Sequence, residues 1–190
     1  MQNNCIILHP DFLMKNLGQL LKNYIQNSQY DKNAIRMLNF YENNKNCFSK
    51  NNPHGHFTGS AWVINPEKDQ VLMTHHKKLN MWLQLGGHAD GNKDLISVAL
   101  KEAKEESGFN SFTLLSNDIF DLDIHEIEPM GSEPKHLHYD VRFILEANPN
   151  EDKIIVSDES HDVKWIPLED VAIYNPEKSI RRMIAKTIEF

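Results

Sequence analysis

Hydrophobic spacing divides the chain into a helical opening, a run of strands, one amphipathic helix and a helical close. Starting at Pro10 and Asp11, apolar residues at Phe12, Leu13, Leu17, Leu20, Leu21, Tyr24 and Ile25 recur on one helical face. Asp31 is placed to cap a second helix carrying Ile35, Met37, Leu38, Phe40 and Tyr41. Residues 43–55 are rich in Asn and Lys, include Pro53 and read as a linker. Strands are predicted at 57–64 and 70–74, joined by a turn, and a short one at 82–85. Further strands are predicted at 112–115, 119–127, 154–156 and 163–167, with closing helices at 168–173 and 175–188. The clearest alternation puts Leu137, Tyr139, Val141, Phe143 and Leu145 on one face of a strand and His136, His138, Asp140 and Arg142 on the other. A solvated polar face would explain that pattern. A pocket wall would too, with His138 and Arg142 as its leading members.

Between the strands lies the stretch on which the rest turns. Gly86 and Gly87 break the backbone, a polar loop through Asp90 follows, and Asp94 is placed to cap a helix that closes at Gly108. Taking Glu102 as the origin of the helical wheel, Glu106 falls about 40° to one side and Glu105 about 60° to the other. Leu95, Val98 and Ala99 share that arc, whereas Asp94, Ser97, Lys101 and Lys104 gather opposite. The three glutamates therefore emerge at the end of the buried stripe. Carboxylates converging beside a core repel one another and lose hydration, and a divalent cation relieves both penalties. An exposed acidic helix end is the plain alternative, but it opposes the helix dipole.

Composition narrows the class without naming a reaction. With 190 residues, 40% hydrophobic and 25% charged, the chain can bury one sizeable core. No apolar run approaches the roughly 20 residues that cross a membrane, and the first residues lack the pattern of a secretory signal. Cys5 and Cys47 are the only cysteines, so a reduced, cytoplasmic protein with free thiols is expected. The net charge of −7 speaks against a nucleic-acid backbone as partner but leaves a small nucleotide open. Ten histidines include the pairs His54/His56, His75/His76 and His136/His138. Imidazoles suit zinc and its neighbours, yet none of these spacings is a recognised zinc signature.

The spacing of Gly87, Lys101, Glu102, Ala103, Glu105, Glu106, Gly108 and Phe109 resembles the Nudix box, the loop-helix signature G-x5-E-x7-R-E-U-x-E-E-x-G-U in which U is bulky and apolar. Three positions depart from it: Lys93 stands for the first glutamate, Lys101 for the arginine, and Ala103 is small. In the family those first two residues mainly brace the loop and helix; here Asp90 or Asp94 would take over from the missing glutamate, and Lys101 would pair with a neighbouring carboxylate without arginine's fork. The run from Trp165 to Asp170 extends the likeness, and the opening from Gly86 to Gly91 is similar to a bacterial Nudix subfamily. The resemblance covers roughly the last two thirds of the chain. It implies an α+β Nudix fold, a mixed sheet sandwiched between helices (α/β/α), over residues 51–190, with residues 1–50 as an N-terminal helical extension. Packing on the domain, covering the site and forming a homodimer are the roles open to that extension.

The resemblance also implies a chemistry: metal-dependent hydrolysis of a nucleoside diphosphate linked to another moiety, by water attack at phosphorus. Mg2+, or Mn2+, would be held by Glu102, Glu105 and Glu106, with the carbonyl of Gly87 and Glu159 adding to them and Asp158 in reserve. Glu105 or Glu102 would take the proton from water. Lys77 and Lys78 lie where they could reach the diphosphate, and His88 where it could contact phosphate, move a proton or brace the loop. The implied partner is a small nucleoside diphosphate derivative, with no nucleic acid and no membrane. Two other readings stand beside this one. A Nudix-fold diphosphate isomerase would need a cysteine near the glutamates, and a non-catalytic nucleotide sensor would have no need of all three.

Overall fold

The computed structural model describes residues 15–28, 30–129 and 134–190. The expected helix start around Pro10 to Leu13 lies outside them, as does Cys5. Within them the chain forms helices α1 (Leu17–Asn27) and α2 (Lys32–Asn43), then strands β1 (His56–Ile64), β2 (Gln70–His76), β3 (Met81–Leu83) and β4 (Leu85–His88). Helix α3 (Leu95–Ser107) follows, then β5 (Thr113–Leu114), β6 (Asp121–Ile127), β7 (His136–Glu146), β8 (Ser160–Pro167), and helices α4 (Val171–Tyr174) and α5 (Lys178–Glu189).

The sheet is mixed and is built on one parallel pair. β1 and β7 run side by side from His56–His138 to Ile64–Glu146, and every other pairing is antiparallel. Along its other edge β1 pairs first with β4 and then with β2, so the sheet splits around β4. β6 lies along the first part of β7 and β5 along its end, while β8 covers β2.

Strand alternation sends the two faces into separate apolar clusters. Phe57, Ala61, Val63, Tyr139, Val141, Phe143 and Leu145 pack against α1, α2 and α3. Trp62, Ile64, Val71, Met73 and Ile144 pack against Val171 of α4 and Ile180 and Met183 of α5. Helices thus lie on both faces of one sheet, an α+β arrangement of α/β/α layers. The N-terminal helices share the first cluster rather than forming their own: Leu17, Leu21, Ala34, Met37 and Phe40 belong to it, and Phe40 stacks on Tyr139 with ring centroids 4.0 Å apart. α2 begins where predicted, with the Asp31 carboxylate accepting the N–H groups of Asn33 and Ala34.

One predicted strand is absent. Residues 154–156 belong to no strand; instead the Ile155 N–H donates to the Ser107 carbonyl at 2.8 Å, closing off the C-terminus of α3. An apolar triplet is a weak strand signal, and here a helix end takes its backbone instead.

Candidate active site

Local rules build the loop and helix. The Asp94 side chain accepts the Ser97 N–H, Asn92 reaches the Ser97 hydroxyl, and Asp94 in turn donates its N–H to Asn92. Gly108 ends α3 in the left-handed region at φ 77°, its N–H donating to the Lys104 carbonyl. Lys93 is exposed, so no carboxylate stands at that point of the loop. Asp94 caps the helix, and Asp90 pairs with Lys50 at 3.3 Å, tying the loop to the chain before β1.

The three glutamates of α3, expected together at the end of the buried stripe, differ in depth. Glu106 is buried, and its carboxylate accepts the Gly86 N–H at 2.8 Å. Glu102 lies against Gly87 so closely that a Cβ there would stand 2.6 Å from its carboxyl carbon. Only glycine at position 87 lets the backbone and that carboxylate meet. Glu105 is exposed, and the Lys101 ammonium bridges it to Glu102 at 2.8 and 3.0 Å. Lys101 thus sits between two of the three acids, joined by single ammonium contacts where an arginine would offer a planar fork. The hydrogen bond to Glu105, then that to Glu102, holds its ammonium well above the usual lysine value.

Burial pushes the Glu106 carboxyl up to about 8; the Gly86 N–H works against this, and the charges of Glu102 and Glu159 add to it. Glu159, exposed in the turn before β8, therefore acts on the same spot from another element. That turn is fastened by the Lys77 N–H to the Glu159 carbonyl at 2.9 Å and by the Lys77 ammonium to the Asp158 carbonyl at 2.8 Å. Lys77 is accordingly engaged with the turn, and the neighbouring Lys78 is exposed. The structure thus brings Glu102 and Glu106 to the Gly86–Gly87 backbone, with Glu105 exposed farther out and the charge of Glu159 acting on Glu106 from the turn before β8.

The polar face of β7 has its own order. Asp140 is buried and accepts four donors: the hydroxyls of Thr58 and Ser60, the Arg142 guanidinium at 2.7 Å and the Gln84 amide at 3.2 Å. Burial alone would raise its carboxyl, but the Arg142 charge, His125 and these hydrogen bonds hold it below the usual range. Arg142 is itself 3% exposed and also approaches Asp121 at 3.4 Å and Asp123 at 3.8 Å. Expected as a pocket-wall residue, it lies under the wall, its guanidinium held by buried acids. Arg182 grips Asp121 with two hydrogen bonds and Lys186 adds a third, fastening α5 to β6.

His138 is half-buried on the same face, with the rings of His56 and His88 4.7 and 5.2 Å away. His88 is exposed at the end of β4, directly after the Gly87 that meets Glu102. Sequence reasoning gave no site role to Asp121, placed Asp140 only among the members of a possible pocket wall, and weighed His56 only in a pair with His54 as a transition-metal ligand. Asp140 is visible on the polar face of the β7 alternation, but three of its four donors come from β1 and from the residue before β4. Cys47 is buried in the first apolar cluster, its carbonyl accepting the Phe57 N–H, so it is not available as a proton donor to a substrate. That removes the one described cysteine an isomerase could use.

Comparison with known proteins agrees with this layout. The NUDIX domain profile matches residues 56–187. A probable DHNTP pyrophosphohydrolase from Lactococcus lactis subsp. cremoris is 25% identical over 128 residues, which cover 65% of this chain and 74% of that protein. Among solved structures, a binary complex of a C. elegans Ap4A hydrolase superposes with a TM-score of 0.57 at 19% identity, covering 70% of this chain and 96% of the other. The E. coli dihydroneopterin triphosphate pyrophosphohydrolase gives 0.55 at 17% identity, with coverage of 70% and 96%. At such identities the two structures speak for the fold.

Proposed function

From the premise that this chain belongs to the NUDIX family and is a Nudix pyrophosphohydrolase, we propose that it hydrolyses a nucleoside diphosphate linked to another moiety, with a divalent metal ion at the α3 carboxylates. The observation that carries this reading is Glu106: a buried carboxyl pushed up to about 8, beside Glu102 and Glu159, on the backbone of Gly86. Such a cluster holds negative charge poorly unless a cation shares it. Its donors are hard carboxylate oxygens, which fit Mg2+ or Mn2+. We assign Glu102, Glu105, Glu106, Glu159 and the Gly87 carbonyl to the ion. When bound, the ion supplies positive charge to the phosphoryl oxygens and acidifies water at the site.

The chain's own residues divide the remaining work. Glu105, exposed, or Glu102, against Gly87, takes the proton from the attacking water. Lys78 and His88, exposed beside it, meet the phosphates, and His138 borders them on the β7 face. Arg142 acts from beneath by holding Asp140, which in turn orders Gln84, Thr58 and Ser60. Among the described residues no helix is long and apolar enough to cross a membrane.

The test is a panel of nucleoside diphosphate derivatives with Mg2+ or Mn2+, read as phosphate release after phosphatase coupling. Dinucleoside polyphosphates and a pterin triphosphate belong in it, given the names of the related proteins. On the best substrate, Glu105→Gln lowers turnover by about 10²–10⁴-fold, the range of a lost acid–base group. Unchanged turnover in the folded variant would remove Glu105 from the reaction.

A further inference from the structure

The sheet brings a third histidine to the His136/His138 pair. His136 and His138 lie one strand period apart at the start of β7 and share a face, with their Nε2 atoms 3.2 Å apart. The β1–β7 register sets His56 directly beside His138. One ligand atom from each of the three imidazoles falls within 4.8 Å of the others, and theirs is the single such group of three or more His, Cys, Asp or Glu among the described residues.

A second observation makes this more than a cluster. His56 is 1% exposed, and neither of its ring nitrogens has a hydrogen-bond partner. A buried imidazole must normally satisfy both nitrogens, and an unsatisfied polar group costs on the order of 1–3 kcal/mol. His136 is held differently. Its Nδ1 lies 2.8 Å from the Pro134 carbonyl, which fixes the proton on Nδ1 and turns the lone pair of Nε2 toward His138. A carbonyl on the far nitrogen is the usual support of a metal-binding imidazole.

We propose that His56, His136 and His138 form a three-imidazole site for a divalent transition-metal ion of the zinc class. Zn–N bonds of about 2.0–2.1 Å at tetrahedral angles place ligand nitrogens about 3.3–3.4 Å apart, close to the observed Nε2 separation. Such ligation also gives the His56 ring a partner. Three neutral ligands leave the ion's charge uncompensated, and an oxygen anion, hydroxide or a phosphate oxygen, suits the fourth position. The ion would thus stand between His138 and an anionic substrate group. The rings of His88 and His125, 5.0 Å from His56 and 5.4 Å from His138 respectively, border the site. Its donors are soft enough for zinc or cobalt and unsuited to magnesium, so it is chemically separate from the α3 carboxylates.

The site does not depend on the hydrolase reading, and the experiment keeps the two apart. Chelator-treated full-length protein is titrated with Co2+ in excess Mg2+, and the visible d–d bands are followed. One equivalent of Co2+ should bind with the intense bands of a four- or five-coordinate ion, and Zn2+ should displace it. His136→Ala and His138→Ala, checked for folding by circular dichroism, should weaken binding by more than the roughly 10–100-fold that loss of an outer hydrogen bond costs. Glu106→Gln should leave the cobalt spectrum intact while abolishing Mg2+-dependent turnover. No saturable cobalt uptake in Mg2+, or uptake unchanged in His136→Ala, overturns the site whatever the turnover assay shows. His136→Ala is the decisive variant, because His136 is only half-buried and its loss leaves the core untouched.

Discussion

Glu106→Gln tests the electrostatics of the α3 site without a substrate. In the folded protein the Glu106 carboxyl sits at about 8, against 4.5 when solvated. The folded state therefore keeps a proton that the unfolded chain releases. Between those two values the folded state binds more protons, so stability falls as pH rises from about 4.5 through about 8. At about 1.36 kcal/mol per pH unit, the shift sets a ceiling of roughly 5 kcal/mol, and side-chain relaxation and water entry bring about half of it within reach. Glutamine keeps the shape and an acceptor for the Gly86 N–H but carries no charge. With chelator present, the variant should match wild type near pH 5 and exceed it at pH 8.5. At roughly 2–4 °C per kcal/mol for a chain of this size, the gap corresponds to roughly 5–10 °C in Tm. Adding Mg2+ should restore wild type and leave the variant unmoved, while phosphate release by the variant falls by orders of magnitude. Differential scanning calorimetry across that pH range is the assay. A wild type as stable as the variant at pH 8.5 without metal would refute the buried-charge account of this site.

Two further perturbations probe how the site is supported. Gly87→Ala puts a methyl group 2.6 Å from the Glu102 carboxyl, whose flexible end can move aside; stability should change by less than about 1 kcal/mol, within the range of a tolerated surface change, while the Mg2+ concentration for half-maximal turnover rises. An unaltered metal dependence would remove Glu102 from the ion. Arg142→Met leaves Asp140 without its guanidinium and should cost about 3–5 kcal/mol in urea denaturation, the penalty of an uncompensated buried charge. A loss under about 1 kcal/mol would mean that Asp140 is held by Thr58, Ser60 and Gln84 alone.

Much of the α3 site was legible because its determinants are local. The Asp94 cap, the Gly108 stop and the angular spread of Glu102, Glu105 and Glu106 are set within the helix and its ends, although Glu105, grouped with the buried stripe, is exposed. The Asp94 cap and the Asp90–Lys50 pair also involve the loop that the sequence marks. Arg142 was not legible. Strand alternation puts it on the polar face but cannot tell an open face from one covered by β6 and α5, and it is Asp121, Asp123 and Asp140 that decide its burial. Residues 154–156 were misread for a related reason, since three apolar residues carry no period and their backbone partner is a helix end.

By itself, then, the sequence determined the periodic elements, the caps and the carboxylate-bearing helix, because each depends on contacts within one or two turns. The tertiary structure alone decided which elements share a face. The parallel register of β1 and β7 sets His56 beside His138, eighty-two positions apart in the chain, and the same pairing brings Thr58 and Ser60 to Asp140. Register across a sheet is fixed by the burial of whole faces, so no local spacing of these histidines could announce it.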